Sequence, residues 1–276
     1  QLADKTADYA VRTYEQAMTN SLAKLVKHNT VAQEGVSAND NPAHIAFKKE
    51  LSKQADALGL DFTDDGYVVI IGLGDAKERV GIVTHGDVQP VNPVKWAKSP
   101  FELDKTSEPG KLIARGTEDD KGPISTALYA MKAIKDKNIP LKKRIELYVY
   151  MAEESDWGPL EEYIKTHSLP QTNITIDASY PVVTAEKGYG TLKFAFNRKK
   201  VSNIDPYIST FHGGYFGSQI PEDANAVIEN ADINLLEKLM NKAQGYKQVS
   251  FDFQLKGTQL TVTALGKSTH SSKPEH

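Results

Sequence analysis

Helical and strand patterns alternate over the first two thirds of this 276-residue chain, and this alternation constrains its fold most. Apolar residues recur at helical spacing in some segments and form short β-branched or apolar runs in others. The predicted helices are Asp4–His28, Ala43–Leu58, Gly122–Lys135 and Pro159–His167, and the predicted strands are Tyr67–Leu73, Arg79–Thr84, Ile145–Met151 and Asn173–Ile176. Helices that alternate with buried strands are typical of an α/β layer fold with a mixed, largely parallel sheet.

The pattern changes after about Gly188, where apolar and polar residues alternate one by one, as in strands with one solvated face. We predict strands at Thr191–Asn197, Val249–Leu255 and Gln259–Leu265, and a helix at Ile233–Ala243. The last two strands are joined by three residues and form an antiparallel hairpin. The chain is therefore divided into an α/β part, residues 1–187, and a smaller α+β part, residues 188–276.

The charge of the chain is close to balanced. It has 33 Lys and Arg residues against 36 Asp and Glu residues, which gives a formal net charge of −3 and a pI near 6.2. Neither value is typical of a protein that binds a polyanion. The longest apolar runs, such as Tyr67–Leu73, are far shorter than the roughly 20 residues of a membrane-spanning helix. The composition thus argues against nucleic-acid and membrane partners.

The chain contains no cysteine, which excludes disulfides, thiolate zinc sites and cysteine nucleophiles. Any metal ion must therefore be held by His, Asp or Glu side chains. The chain begins at Gln1, without Met and without an apolar signal segment, which fits a processed export product and a trimmed chain equally. We expect a periplasmic or exported location, with the cytoplasm as the alternative.

Metal-capable side chains follow three of the predicted strands, and another pair stands before a predicted helix. They are His85 and Asp87 after Arg79–Thr84, Glu153 and Glu154 after Ile145–Met151, Asp177 after Asn173–Ile176, and Asp119-Asp120 before Gly122. Ligands of open α/β sheets bind at the carboxyl ends of the strands, so we expect these groups to converge. One imidazole with several carboxylates is the donor set of a hydrolytic zinc ion, or a zinc pair, when no sulfur is available.

Each of these groups, taken alone, also has a purely structural interpretation. A His-Gly-Asp segment after a strand is common in turns. Adjacent glutamates such as Glu153 and Glu154 are usually solvated, and the aspartates at 119, 120 and 177 could cap the segments that follow them. Four such coincidences at the ends of strands and helices are less probable than any one of them.

Six motifs, in a fixed order along the chain, carry a family resemblance. They are Thr84-His85-Gly86-Asp87-Val88-Gln89-Pro90, Trp96 with Pro100-Phe101, Arg115-Gly116-Thr117-Glu118-Asp119-Asp120-Lys121-Gly122-Pro123, Glu153-Glu154-Ser155-Asp156-Trp157-Gly158, Asp177-Ala178-Ser179-Tyr180-Pro181, and Glu186-Lys187-Gly188. Together they resemble the di-zinc aminoacylase/carboxypeptidase family of metallopeptidases, and in particular its bacterial Xaa-His (carnosinase-like) dipeptidase branch.

The resemblance implies a fold and a metal site. Residues 1–187 would be the first part of an α/β zinc-peptidase catalytic domain, and residues 188–276 would be an incomplete α+β lid domain. His85 and Asp177 would bind one Zn²⁺, Asp119 would bridge two Zn²⁺, and Glu154 would bind the second. Mn²⁺ or Co²⁺ could substitute, because carboxylate-rich sites accept several such ions.

Three further roles follow from the same resemblance. Asp87 would hydrogen-bond His85 and fix its tautomer. Glu153 would be the general base that takes a proton from a water between the metals and delivers it to the leaving amine. His270, in the segment Gly266-Lys267-Ser268-Thr269-His270-Ser271-Ser272-Lys273-Pro274, would stabilise the oxyanion of the tetrahedral intermediate.

The implied function is a zinc-dependent exopeptidase that hydrolyses dipeptides. Two alternatives stay open, a deacylase of N-acyl amino acids from the same family and a non-catalytic metal-binding protein. The expected partners are a small peptide substrate and a second copy of the chain, bound through the lid domain.

Some family features have no counterpart in this sequence. The family supplies the second zinc with a later His and holds the substrate carboxylate with a later Arg, and we expect these residues beyond His276 or in a second chain. Ser218 stands where related lids often have Asn. We expect the histidines that match no family ligand on the surface or in loops; these are His28, His44, His167, His212 and His276.

Overall fold

The structure is a computed structural model that describes residues 1–197, 204–215 and 217–272. The chain forms two compact units, Gln1–Val183 and Thr184–His276. The division predicted from the sequence falls after residue 187, and the assignment of the two parts as catalytic domain and lid stays a prediction. In the part of the chain that the structure describes, no helix is long and apolar enough to cross a membrane.

The first unit contains every helix and strand predicted for it, with ends that differ by at most three residues. Its helices are α1 (Leu2–Leu25), α2 (Pro42–Leu58), α3 (Lys121–Asp136) and α4 (Gly158–Thr166), and its strands are β1 (Asp61–Asp65), β2 (Val68–Leu73), β3 (Arg79–His85), β4 (Arg144–Tyr150) and β5 (Thr172–Thr175). A 3-10 turn at Pro93–Lys95 lies in the loop after β3. β1 was missed, because its Asp-rich sequence lacks the apolar run of a buried strand.

The five strands form one mixed sheet in the order β1-β2-β4-β3-β5. β3 pairs in parallel with both β4 and β5, whereas β1 and β2 are antiparallel to their neighbours. The prediction of an α/β fold with a mixed sheet is confirmed. Because β3, β4 and β5 run in one direction, their carboxyl ends lie at the same edge of the sheet.

Local signals explain where α2 begins and ends. The side chain of Asn41 accepts a hydrogen bond from the backbone N–H of Ala43, and Pro42 occupies the first turn, where its missing N–H costs nothing. Gly59 ends the helix in the left-handed conformation, at φ 65°, which a residue with a Cβ adopts only with strain.

One apolar cluster packs the three long helices against the sheet. Its fully buried members come from α1, α2, α3, β2 and β4; among them are Leu25, Phe47, Leu51, Ala55, Val69, Ile71, Ile124, Leu128, Leu147 and Val149. The amphipathic spacing of the helices places these side chains on the faces turned to the sheet. Phe47 and Met151 extend the cluster to the edge where the parallel strands end.

The second unit is built on an antiparallel sheet in the order β6-β8-β10-β9. Its elements are β6 (Tyr207–Gly213), β7 (Gln219–Ile220), β8 (Asp223–Glu229), α5 (Ile233–Ala243), β9 (Ser250–Lys256), β10 (Gln259–Leu265) and β11 (Thr269–His270). The β9–β10 hairpin and the helix α5 confirm the predictions made for them. Asp232 caps the start of α5, and its carboxylate accepts a hydrogen bond from the backbone N–H of Leu235 at 2.8 Å.

The prediction of a strand at Thr191–Asn197 is wrong, since these residues are described and lie outside any strand. The apolar side chains that suggested the alternation are solvent-exposed; they are Leu192, Phe194 and Phe196. Alternating apolar and polar residues form a strand when one face of the strand packs against other residues. Within the described part of this unit, nothing covers the apolar side chains of Thr191–Asn197. Strands β6 and β8 were missed because their sequences, with several polar and small residues, lack a clear alternation.

Truncation of a core side chain on α3 tests the packing of the first unit. Leu128 is fully buried, so Leu128→Ala should lower the free energy of unfolding by about 2–5 kcal/mol, through lost burial and the cavity left behind. Val11→Ala, at a side chain 58% exposed on α1, is the control and should change it by less than about 0.5 kcal/mol. Chemical denaturation of both variants measures the difference; equal effects would contradict the packing described.

Candidate metal centre

The centre lies at the carboxyl ends of β3 and β4. The parallel register pairs His85 with Tyr150, so the residues that follow the two strands are neighbours. The backbone N–H of Gly86 donates to the carbonyl of Tyr150 at 2.8 Å. A Cβ on Gly86 would lie 2.6 Å from Phe47 Cε1 and 2.7 Å from Met151 Sδ, so only glycine fits between His85 and the core.

His85 stands at the middle of the centre and is buried. Its Nδ1 lies 3.0 Å from the backbone carbonyl of Asp87, which fixes a proton on Nδ1. Its Nε2 is turned to two carboxylates, 2.6 Å from Asp119 Oδ1 and 3.5 Å from Asp177 Oδ2. Burial alone would lower the pKa of His85, but hydrogen bonds and charge from Asp119 and Asp87 outweigh it and raise the pKa to about 12.

The carboxylate of Asp87 holds the loop that carries the two glutamates. Oδ1 accepts the backbone N–H of Glu153 and Oδ2 accepts that of Glu154, each at 3.0 Å. Oδ1 also lies 3.4 Å from His85 Nδ1. The shorter contact of this nitrogen is with the backbone carbonyl of Asp87, and the role expected for the Asp87 side chain stays a prediction. Asp87 thereby connects the end of β3 to the end of β4.

Two buried titratable residues, Asp120 and Lys121, lie where α3 begins. Asp120 Oδ2 accepts the backbone N–H of His85 at 3.3 Å, whereas its buried Oδ1 has no hydrogen-bond partner. Burial raises the pKa of Asp120 to about 8, with Asp177 and Asp119 adding to the shift. Lys121 Nζ donates to the carbonyl of His28 at 2.7 Å and lies 5.1 Å from the centroid of the Phe47 ring.

The four side chains predicted as metal ligands and the predicted base, Glu153, come together in two groups that share His85. One group is His85, Glu153 and Asp177, and the other is His85, Asp119 and Glu154; within each group the candidate ligand atoms lie within 4.8 Å of one another. Burial, followed by the charge of Asp119, raises the pKa of Glu154 to about 8. Burial also raises the pKa of Glu153 and of Asp177.

These donors fit a divalent metal ion. A ring nitrogen with its second nitrogen anchored and several carboxylate oxygens are ligands that Zn²⁺, Mn²⁺ and Co²⁺ accept. The raised carboxyl pKa values reflect burial and mutual repulsion, and a cation among these oxygens would relieve both. The residues present therefore fit a metal ion, and the role of each as a ligand stays a prediction.

Two residues near the centre belong to the sequence motifs but were given no role. Gln89 Nε2 donates to Glu154 Oε2 at 2.5 Å. Arg115 Nη2 donates to the carbonyl of Pro90 at 3.4 Å, and its charge acts on Asp119 and Glu154. Both residues lie in the motifs that carry the family resemblance, and this was the only indication in the sequence that they belong near the centre. What they contact follows only from the tertiary structure.

The last predicted site residue, His270, lies in the second unit. It is exposed on β11, which pairs with β7 so that His270 is opposite Gln219. The backbone N–H of Ser272 donates to His270 Nδ1 at 3.1 Å, so the proton of the neutral ring is on Nε2. This tautomer presents a donor, as an oxyanion-binding role requires. Lys273 and Pro274 of the same motif lie outside the described residues.

Of the other histidines, His44 corrects an expectation. It is buried on α2 and its Nδ1 has no hydrogen-bond partner, so the expectation of a surface or loop position is wrong for this residue. Its helix packs against the sheet, and the helical pattern did not show on which face His44 lies. His276 is outside the described residues.

Ser218, which stands where related lids often have Asn, contacts the segment after β11 through its main chain. The backbone carbonyl of Ser218 accepts the N–H of Ser271 at 2.7 Å.

A family model decides where this chain belongs. The model described as peptidase family M20/M25/M40 matches residues 81–264, a stretch that contains all the metal-capable residues above. The chain belongs to this family. The resemblance drawn from the six motifs is thereby confirmed, and the mixed sheet described above is the part of the peptidase fold that carries the candidate ligands.

Relatives and solved structures agree with the assignment. The chain is 28% identical over 209 residues to a Beta-Ala-Xaa dipeptidase from Lactobacillus delbrueckii subsp. lactis, covering 76% of this chain and 44% of that protein. Human carnosine dipeptidase 1 has a similar fold, with a TM-score of 0.52 and 21% identity; the match covers 65% of this chain and 42% of that protein. For an M20 family metallo-carboxypeptidase from Sulfolobus solfataricus the TM-score is 0.50 with 17% identity, and the match covers 92% of this chain and 70% of that protein. The chain spans about half the length of the curated relatives it matches.

The protonation of the centre predicts how metal binding depends on pH. A pKa near 12 keeps His85 protonated, and a pKa near 8 keeps Glu154 protonated, until a cation displaces the protons. Raising the pH from 6 to 7.5 should therefore tighten Co²⁺ binding about tenfold per pH unit for each proton released.

Calorimetry in two buffers of different ionisation enthalpy counts the released protons. The variant His85→Ala is the control, since it should release fewer protons and show a shallower dependence on pH. An affinity for Co²⁺ that does not change with pH would contradict the protonation described.

Proposed function

We propose that the protein is a metal-dependent exopeptidase that hydrolyses dipeptides. The observation that supports this most is the convergence of His85, at the end of β3, with carboxylates from two other strand ends and from the segment before α3 in two overlapping groups of possible ligands. One imidazole with several carboxylates suits two divalent ions, with Zn²⁺ as the first candidate and Mn²⁺ or Co²⁺ as substitutes. The dipeptidase named among the relatives supports a short peptide as the substrate.

Glu153 is the residue best suited to move the proton in this reaction. Burial raises its pKa, so its carboxylate accepts a proton more readily than a solvated glutamate does. Its backbone N–H is fixed by Asp87, which limits the freedom of the side chain. A bound divalent ion supplies positive charge that polarises the scissile carbonyl and acidifies water. Glu153 then takes a proton from the attacking water and delivers it to the leaving amine.

The ligands are held before any ion binds. Asp87 fixes the main chain of both glutamates, and its carbonyl fixes the ring of His85 with Nε2 turned to the carboxylates. Such contacts around ligands orient them and limit the reorganisation needed on binding. His270 keeps its predicted role as a donor to the oxyanion.

A substrate panel separates this function from its alternatives. The purified protein with added Zn²⁺ should hydrolyse dipeptides, and a chelator should abolish the activity because the ions are removed. N-acetyl amino acids belong in the same panel. Faster hydrolysis of these compounds than of dipeptides would identify a deacylase, and bound Zn²⁺ without hydrolysis of either class would identify a non-catalytic metal-binding protein.

Removal of the proposed base tests the mechanism. Glu153→Gln keeps the size of the side chain but cannot accept the proton, so turnover should fall about 10²–10⁴-fold while the metal content stays close to that of the wild type. Steady-state kinetics and metal analysis on the same sample measure both. Glu161→Gln, at an exposed glutamate of α4, is the matched control and should leave turnover unchanged. Full activity in Glu153→Gln would rule out Glu153 as the base.

A further inference from the structure

A neutral amide contacts one of the candidate ligands directly. Gln89 lies two residues after Asp87 in the loop that follows β3, and it is half-buried. Its Nε2 donates to Glu154 Oε2 at 2.5 Å, across 65 positions of sequence. When Glu154 is ionised, as it would be as a metal ligand, a hydrogen bond from the amide is roughly twice as strong as a bond between neutral groups. This contact therefore restrains the end of the Glu154 side chain.

The loop that carries Gln89 is itself held in place. The carbonyl of the next residue, Pro90, accepts from Arg115 Nη2 at 3.4 Å. The guanidinium of Arg115 also stacks near the ring of Trp96, with Cζ 5.9 Å from the ring centroid. Arg115 thus connects two parts of the loop between β3 and α3 beside Gln89.

Glu154 is consequently restrained at both ends. Its backbone N–H is bound by Asp87 Oδ2, and its Oε2 is bound by the amide of Gln89. The carboxyl group that Gln89 contacts is the one that lies in the group with His85 and Asp119. The N–H of an amide cannot bind a cation, so Gln89 orients Glu154 without competing for the ion through this nitrogen.

We propose that Gln89 is a positioning residue that sets the affinity for the divalent ion held through Glu154 and leaves the affinity for the ion held by His85 and Asp177 unaffected. The inference rests on the metal centre of the proposed function and adds a residue outside its set of ligands. Groups that hydrogen-bond to metal ligands typically change metal affinity by about 10–100-fold when they are removed.

The variant Gln89→Met tests the inference, because methionine keeps the length of the side chain but donates no hydrogen bond. Titration of the metal-free protein with Co²⁺, followed by calorimetry and by the absorption spectrum of the bound ion, resolves the binding of the two ions. We expect the affinity for one ion to fall about 10–100-fold and the affinity for the other to stay as in the wild type. Thermal unfolding of the metal-free variant should match that of the metal-free wild type, which a purely structural role for Gln89 would not allow.

Gln54→Met is the matched control. Gln54 Nε2 donates to Glu50 Oε1 at 3.0 Å, an amide–glutamate contact on α2 away from the centre, so its loss should leave the binding of both ions unchanged. Gln89→Ala is a second variant, for the case that methionine packs badly in the loop, and it should weaken the same ion.

Two results would overturn the inference, and they differ from failure of the proposed function. If Gln89→Met and Gln89→Ala bind both ions as the wild type does, or weaken both equally, Gln89 does not position Glu154. If the wild-type protein itself binds no divalent ion, the metal centre is wrong and the proposed function fails with it.

Discussion

The buried carboxylate of Asp87 is the interaction on which the rest of the centre depends. A buried carboxylate without partners is strongly unfavourable. Asp87 is stabilised by hydrogen bonds from the backbone N–H groups of Glu153 and Glu154 and by the nearby ring of His85. Because these partners follow two different strands, one side chain fixes the distance between the imidazole and the glutamate pair. Gly86 makes this contact possible, since any side chain there would collide with Phe47 and Met151.

The same arrangement makes the metal-free centre electrostatically unfavourable. Burial raises the carboxyl pKa values of Asp120 and Glu154 to about 8, and the nearby charges of Asp177 and Asp119 add to these shifts. Protonated His85 supplies positive charge inside the cluster and forms an ion pair with Asp119. A cation that binds the folded chain more tightly than the unfolded chain stabilises the folded state. Binding of divalent ions at this centre therefore stabilises the fold.

Local signals in the sequence predicted the helices and four of the five strands of the first unit, but not which strands are neighbours in the sheet. Asn41 and Gly59 mark the ends of α2, and the spacing of apolar residues gives the bounds of α5, because caps and helical periodicity are properties of adjacent residues. The sequence places β2 beside β3 in chain order, whereas β4 lies between them in the sheet. The burial of His44 and the contact of Gln89 with Glu154 also depend on chain segments far apart, and no local pattern encodes them.

The register of β3 with β4 explains why residues distant in sequence could still be predicted as one site. His85 is paired with Tyr150, so the three residues after Tyr150 carry the chain to Glu153 at the same edge. A shift of one residue in this pairing would turn every side chain of β4 to the opposite face, and would move Leu147 and Val149 out of the main core cluster to the side where Tyr148 and Tyr150 pack. The packing that fixes the core therefore also fixes which side chains meet at the strand ends. The position of the metal-capable residues directly after their strands is sufficient to predict that they converge, while the contacts of Asp87 and Gln89 that orient them follow only from the folded chain.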